Sequence, residues 1–93
     1  MKFLIVKLKV FPVDVGINLN EMAESIQKNL PKGMEIVSKY EEPIAFGLSA
    51  LILNIKLEEK EGVMEALEKA VKSSKYVSEI QVIGVSTYST HLT

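Results

Sequence analysis

The spacing of apolar residues changes along this chain, and that succession constrains the fold more than any other feature. Residues 3–11 read Phe-Leu-Ile-Val-Lys-Leu-Lys-Val-Phe. Leu4, Val6, Leu8 and Val10 fall on one side, Lys7 and Lys9 on the other, which is the two-residue period of a strand with one buried face. Pro12, Asp14 and Gly16 end it. Leu19, Met22, Ala23, Ile26 and Leu30 then recur at spacings of three and four, one stripe of a helix. Asn18 is placed to cap that helix, with Glu21 completing a capping box and Ile17 and Met22 a hydrophobic staple, and Pro31 and Gly33 stop it.

Alternation returns over 34–41, less apolar than before, so the second strand is expected at a sheet edge. Residues 42–47 connect it to 48–57, a nearly continuous apolar run of the kind found in central strands. After a charged turn at 58–62, Val63, Leu67, Ala70 and Val71 predict a second helix. Glu65 with Lys69 and Glu68 with Lys72 pair on its wet side, and Ser73-Ser74 ends it. Ile80, Val82, Ile83 and Val85 predict a last strand with a bulge at Gly84, and the residues after 85 show no clear pattern. The order β-α-β-β-α-β predicts an α+β, ferredoxin-like sandwich: a four-stranded antiparallel sheet with two helices on one face. A chain of 93 residues allows one such domain, expected over 1–88 with 89–93 a flexible tail. The topology hosts many unrelated activities and does not itself name one.

Composition narrows the function. There is no cysteine and one histidine, His91, which removes thiolate metal sites, cysteine nucleophiles and multi-histidine centres. All 11 basic residues are lysine, so no guanidinium can clamp a phosphate or read a guanine. The carboxylate pairs Glu41-Glu42 and Glu58-Glu59 are strand neighbours that point to opposite faces, and Glu61, Glu65 and Glu68 read as a solvated helix face. Neither Gly33 nor Gly62 lies in a phosphate-cradling pattern. No catalytic, cofactor-binding or metal-binding residue is therefore expected.

The net charge of −1 offers no general attraction to nucleic acid or anionic lipid. In an RNA-recognition reading of this topology, Phe3, Ile5, Lys7, Lys9, Leu48, Ala50, Ile52 and Asn54 would form the base platform, and only Phe3 among them is aromatic. No direct nucleic-acid contact is expected. No apolar run approaches the roughly 20 residues of a membrane span, so a cytoplasmic protein without membrane contact is expected. Together these point to an interaction module rather than an enzyme.

The segment Glu42-Pro43-Ile44-Ala45-Phe46-Gly47-Leu48 stands out, because a polar turn would suffice between two antiparallel strands. Pro43 stiffens its entry, and Gly47 admits positive φ and close backbone approach. A stiff apolar segment with a central aromatic suits a partner-binding hot spot formed by Pro43, Ile44, Ala45, Phe46, Gly47 and Leu48. The competing reading folds Phe46 back onto the core.

This same segment resembles the signature of archaeal elongation factor 1-beta. The resemblance covers nearly the whole chain: the opening strand with Lys7, Lys9 and Phe11-Pro12, the helix led by Asn18-Leu19-Asn20-Glu21 and closed by Leu30-Pro31-Lys32-Gly33, and, best of all, residues 41–51. It implies a guanine-nucleotide exchange factor for the elongation factor 1-alpha GTPase, with no cofactor and no catalytic groups of its own. Phe46-Gly47 is the contact it carries over most directly. Ser49 stands where many relatives have a basic residue, and no lysine follows Lys75, so no basic C-terminal residue carries over. The alternative is a small-ligand-binding regulatory or dimerisation domain of the same topology, with 13–16 as its loop. An acylphosphatase-like enzyme of this topology needs an arginine that the chain lacks.

Overall fold

The computed structural model describes residues 2–88. The expected tail at 89–93, and with it His91, lies outside the described residues. The elements run β1 (Phe3–Pro12), α1 (Leu19–Asn29), β2 (Glu35–Ala45), β3 (Leu48–Glu58), α2 (Val63–Lys72) and β4 (Val77–Tyr88). The strands form one antiparallel sheet in the order β2-β3-β1-β4. This is the expected ferredoxin-like α+β fold.

The predicted stripes of β1, β3 and the two helices are buried, whereas Val82, Ile83 and Val85 of β4 are exposed. Val6, Leu8 and Val10 of β1, Leu51, Leu53, Ile55 and Leu57 of β3, Met22 and Ile26 of α1, and Leu67 and Val71 of α2 form the core between sheet and helices. Asn18 caps α1 through its side-chain oxygen, which accepts from the backbone N–H groups of Asn20 (2.9 Å) and Glu21 (3.1 Å). A half-buried polar contact, Ser25 Oγ to Ser74 Oγ at 3.0 Å, ties α1 to the segment just after α2.

Three boundaries differ from the sequence expectation. β2 does not end at residue 41 but continues to Ala45. Pro43 is tolerated there because β2 is an edge strand, and the register slips by one residue just after it, between Pro43 and Ala45. β4 starts at Val77 and runs on to Tyr88, pairing 84–88 with Lys7 to Phe3, because a strand edge supplies hydrogen bonds that a search for apolar alternation does not register. The bulge expected near Gly84 is present: Lys7 opposes Gly84 and Leu8 opposes Val82, leaving Ile83 extra.

The face of the sheet away from the helices is not simply wet. Ala50 and Ile52 of β3 point to it and are fully buried. Ile52 is flanked in register by Tyr40 on β2 and Lys9 on β1. Lys9 Nζ reaches Glu42 Oε2 at 2.6 Å, an ion pair that spans β3 above Ala50 and Ile52. Lysine stems and the tyrosine ring thus cover apolar atoms while their polar ends stay wet.

Candidate functional site

The site grows out of the β2–β3 hairpin. The two strands pair as far as Ala45 opposite Leu48, so the connection is only Phe46-Gly47. Both residues have positive φ, +52° for Phe46 and +78° for Gly47. Two central residues of positive φ are what a two-residue turn of type I′ requires, because its twist matches that of the flanking strands. Asparagine, aspartate and glycine fill such positions at little steric cost. Phenylalanine in the left-handed region costs about 1–2 kcal/mol. Phe46 is the one non-glycine with positive φ among the described residues.

Local stability does not explain that choice, because the Phe46 ring touches no core. Its relative exposure is 101%, the highest among the large apolar residues of the described chain. The reading in which it folds back onto the domain is therefore not what the structure has. Pro43, Ala45 and Gly47 are also exposed, Ile44 is 42% exposed, and Leu48 is half-buried. All six candidate residues thus lie together at one end of the molecule, none of them buried.

The structure brings to the site residues of the 13–16 loop, which the sequence reading assigned only to the alternative ligand-binding domain. β1 and β3 are antiparallel, so the end of β1 and the loop after it lie beside the hairpin tip. Val13 and Val15 of that loop are 54% and 63% exposed. An open groove of about 310 Å³ separates loop and tip, lined by Val15, Asn18 and Asn20 on one side and Glu41, Gly47 and Ser49 on the other. Val13 donates its N–H to Tyr76 O (3.0 Å), which ties the loop to the segment before β4. The signal for Val13 and Val15 was present as two valines in a turn-forming stretch, but only the tertiary pairing sets Val15 across the groove from Gly47.

The supports of the hairpin lie on the open face. Glu42, placed by the sequence reading at the start of the connection, is in β2 and held by Lys9. Asn54 donates from Nδ2 to Ser38 Oγ at 2.8 Å. Lys7 Nζ lies 5.5 Å from the centre of the Tyr40 ring. These contacts matter because β2 beyond Ile36 buries no side chain and is otherwise held only by its ladder to β3.

The same face would be the base platform in the RNA-recognition reading. It carries Phe11 and Tyr40 besides Phe3, and each ring has a lysine over it: Lys9 over Phe11 at 5.6 Å and Lys56 over Phe3 at 5.0 Å, with Lys7 over Tyr40. Among the described residues no group of His, Cys, Asp or Glu is arranged to hold a metal ion, and no helix is long and apolar enough to cross a membrane.

The family model of the EF-1 guanine nucleotide exchange domain matches residues 5–87. The chain belongs to that family. Curated relatives agree in name and extent. The chain is 48% identical over 86 residues to the elongation factor 1-beta of Staphylothermus marinus, covering 91% of this chain and 96% of the relative. It is 45% identical over 82 residues to that of Aeropyrum pernix, covering 87% and 91%. With that of Saccharolobus solfataricus it shares 41% over 87 residues, covering 92% and 96%. The matched span takes in both helices, the hairpin with Phe46 and all of the sheet but the first two residues of β1 and the last of β4.

Proposed function

We propose that this chain acts in translation as an exchange factor. The hairpin tip, residues 43–48, docks on an elongation factor 1-alpha GTPase and promotes replacement of its GDP by GTP. The observation that carries this reading is Phe46, fully exposed and held at φ +52° at the head of a paired hairpin. Backbone strain and an exposed aromatic are each unfavourable for the isolated domain, and both become useful when a partner buries the ring. Val13 and Val15 form the second lip of the docking surface.

The action needs no covalent step. If the factor binds the nucleotide-free GTPase more tightly than the GDP form, factor and nucleotide weaken each other by the same ratio. A tenfold mutual weakening takes about 1.4 kcal/mol and a thousandfold about 4 kcal/mol. A single buried aromatic hot spot reaches this range. The test is release of a fluorescent GDP analogue from the cognate elongation factor 1-alpha. The unaltered chain accelerates release and Phe46→Ala does so far less. No acceleration at micromolar factor removes the proposal.

A further inference from the structure

The outer part of β2, which leads to Phe46, is held from one side only. Among residues 37–45 only Glu42 is not exposed, so burial does not fix this arm. Its register on β3 slips twice, at Val37 where the arm begins and at Ile44 just before the tip. A bulge bends and twists the strand it interrupts, so the ladder alone leaves the direction of the arm loosely set. Three residues of the arm, Ser38, Tyr40 and Glu42, point to the open face of the sheet, and a side chain of an inner strand holds each of them. Asn54 Nδ2 donates to Ser38 Oγ, Lys7 Nζ stands over the Tyr40 ring, and Lys9 Nζ meets Glu42 Oε2. Lys39 and Glu41, which alternate with them, form no ion pair among the described residues. The contact nearest the tip is that of Lys9. It starts on β1, crosses β3 and ends on Glu42, the residue before Pro43.

We propose that Lys9 is a positioning residue for exchange: through Glu42 it aims the hairpin, and with it Phe46, at the GTPase. The inference rests on the exchange reading and adds to it a residue outside the docking surface. A hairpin that swings binds only from the fraction of conformers in which its tip is aligned, and the apparent affinity falls with that fraction. A partly exposed ion pair shifts such an equilibrium by a factor of about two to five. Loss of the pair therefore weakens association by no more than that factor. A direct contact between Lys9 and the GTPase has no such ceiling. The side chain of Lys9 is only 24% exposed and its ammonium is engaged by Glu42, so it offers little to a partner directly. Lys9→Met is the informative change, because methionine keeps the stem that covers Ile52 and removes the charge.

The test is release of a fluorescent GDP analogue from the cognate elongation factor 1-alpha over a range of factor concentrations at low salt. For Lys9→Met the half-saturating concentration should rise about two- to fivefold, while the release rate at saturating factor stays the same. A loss of stability alone moves neither quantity while the domain is folded, which circular dichroism checks. Lys9→Arg should behave as the unaltered chain. Lys9→Glu, which sets two carboxylates against each other, should be weaker than Lys9→Met, and combining it with Glu42→Lys should recover most of the loss by forming the pair in reverse. Amide hydrogen exchange of the free chain gives a measurement that needs no GTPase: the amides of residues 44–48 should exchange faster in Lys9→Met by a similar factor, and those in the middle of β1 should not. A charge swap that recovers nothing, a weakening far above the ceiling, or a fall in the rate at saturating factor would mean that Lys9 acts on the GTPase itself, and overturns the proposal. So does a Lys9→Met chain that exchanges as well as the original, or one whose tip amides are unchanged. If the unaltered chain does not accelerate release, the exchange reading falls and this inference with it; if it does and Lys9→Met does so equally, only this inference falls.

Discussion

Replacing Phe46 by asparagine should raise stability and lower exchange at once. The turn Phe46-Gly47 has positive φ at both positions, and asparagine followed by glycine is the preferred pair for such a turn. Relief of the left-handed phenylalanine is worth about 1 kcal/mol. The ring is fully exposed, so its removal costs no core packing; truncating a buried phenylalanine would cost about 3–5 kcal/mol. For a domain of this size a gain of about 1 kcal/mol raises Tm by roughly 4–8 °C. On the partner side, a ring that buries about 200 Å² gains at most about 5 kcal/mol at 25 cal/mol per Å². Ordering the side chain takes back about 1 kcal/mol, and imperfectly paired polar groups take more. A net loss of about 2 kcal/mol on substitution is therefore expected, close to a 30-fold weaker association with the GTPase. Thermal unfolding followed by circular dichroism reads the first quantity, and the factor concentration that half-saturates GDP release reads the second. A Phe46→Asn chain that melts lower, or that exchanges as well as the original, refutes the argument that this turn is strained for the sake of a partner.

Three further outcomes follow from packing and hydrogen bonding. Ile52→Ala should cost about 2–4 kcal/mol in urea unfolding although Ile52 points away from the helices, because it is fully buried; a loss under about 0.5 kcal/mol would mean that the lysine and tyrosine side chains do not cover it. Glu42→Gln should cost only about 0.5 kcal/mol, since the ion pair with Lys9 is partly exposed, and a Lys9/Glu42 double-mutant cycle should show that coupling shrink as salt is raised. Asn18→Ala should destabilise the domain by about 1 kcal/mol through loss of the two N–H contacts at the start of α1, a change that Asn18→Asp should largely avoid.

Alternation and helical spacing are local properties, and they were enough to read the element order, the buried stripes of β1, β3 and the two helices, and the edge position of β2. They also pointed to residues 43–48 as unusual, because apolar side chains around a glycine need a reason in a connection between strands. What they could not convey depends on register, which no local window contains. Pro43 reads as the entry to a loop until β2 is seen to be an unpaired edge with a slip beside it. The direction of Phe46 was open between core and solvent until the turn closed on two residues of positive φ and sent the ring outward. The apolar run 48–57 marked a central strand, but what covers Ala50 and Ile52 was settled only when Lys9 and Glu42, 33 positions apart in sequence, met across β3. Val13 and Val15 became part of the candidate site only because antiparallel pairing of β1 with β3 brings the end of one strand to the start of the other. The sequence by itself determined which faces must be buried, since apolar period sets that residue by residue. Tertiary structure decided which apolar groups were left over for a partner, since that depends on what the rest of the chain covers.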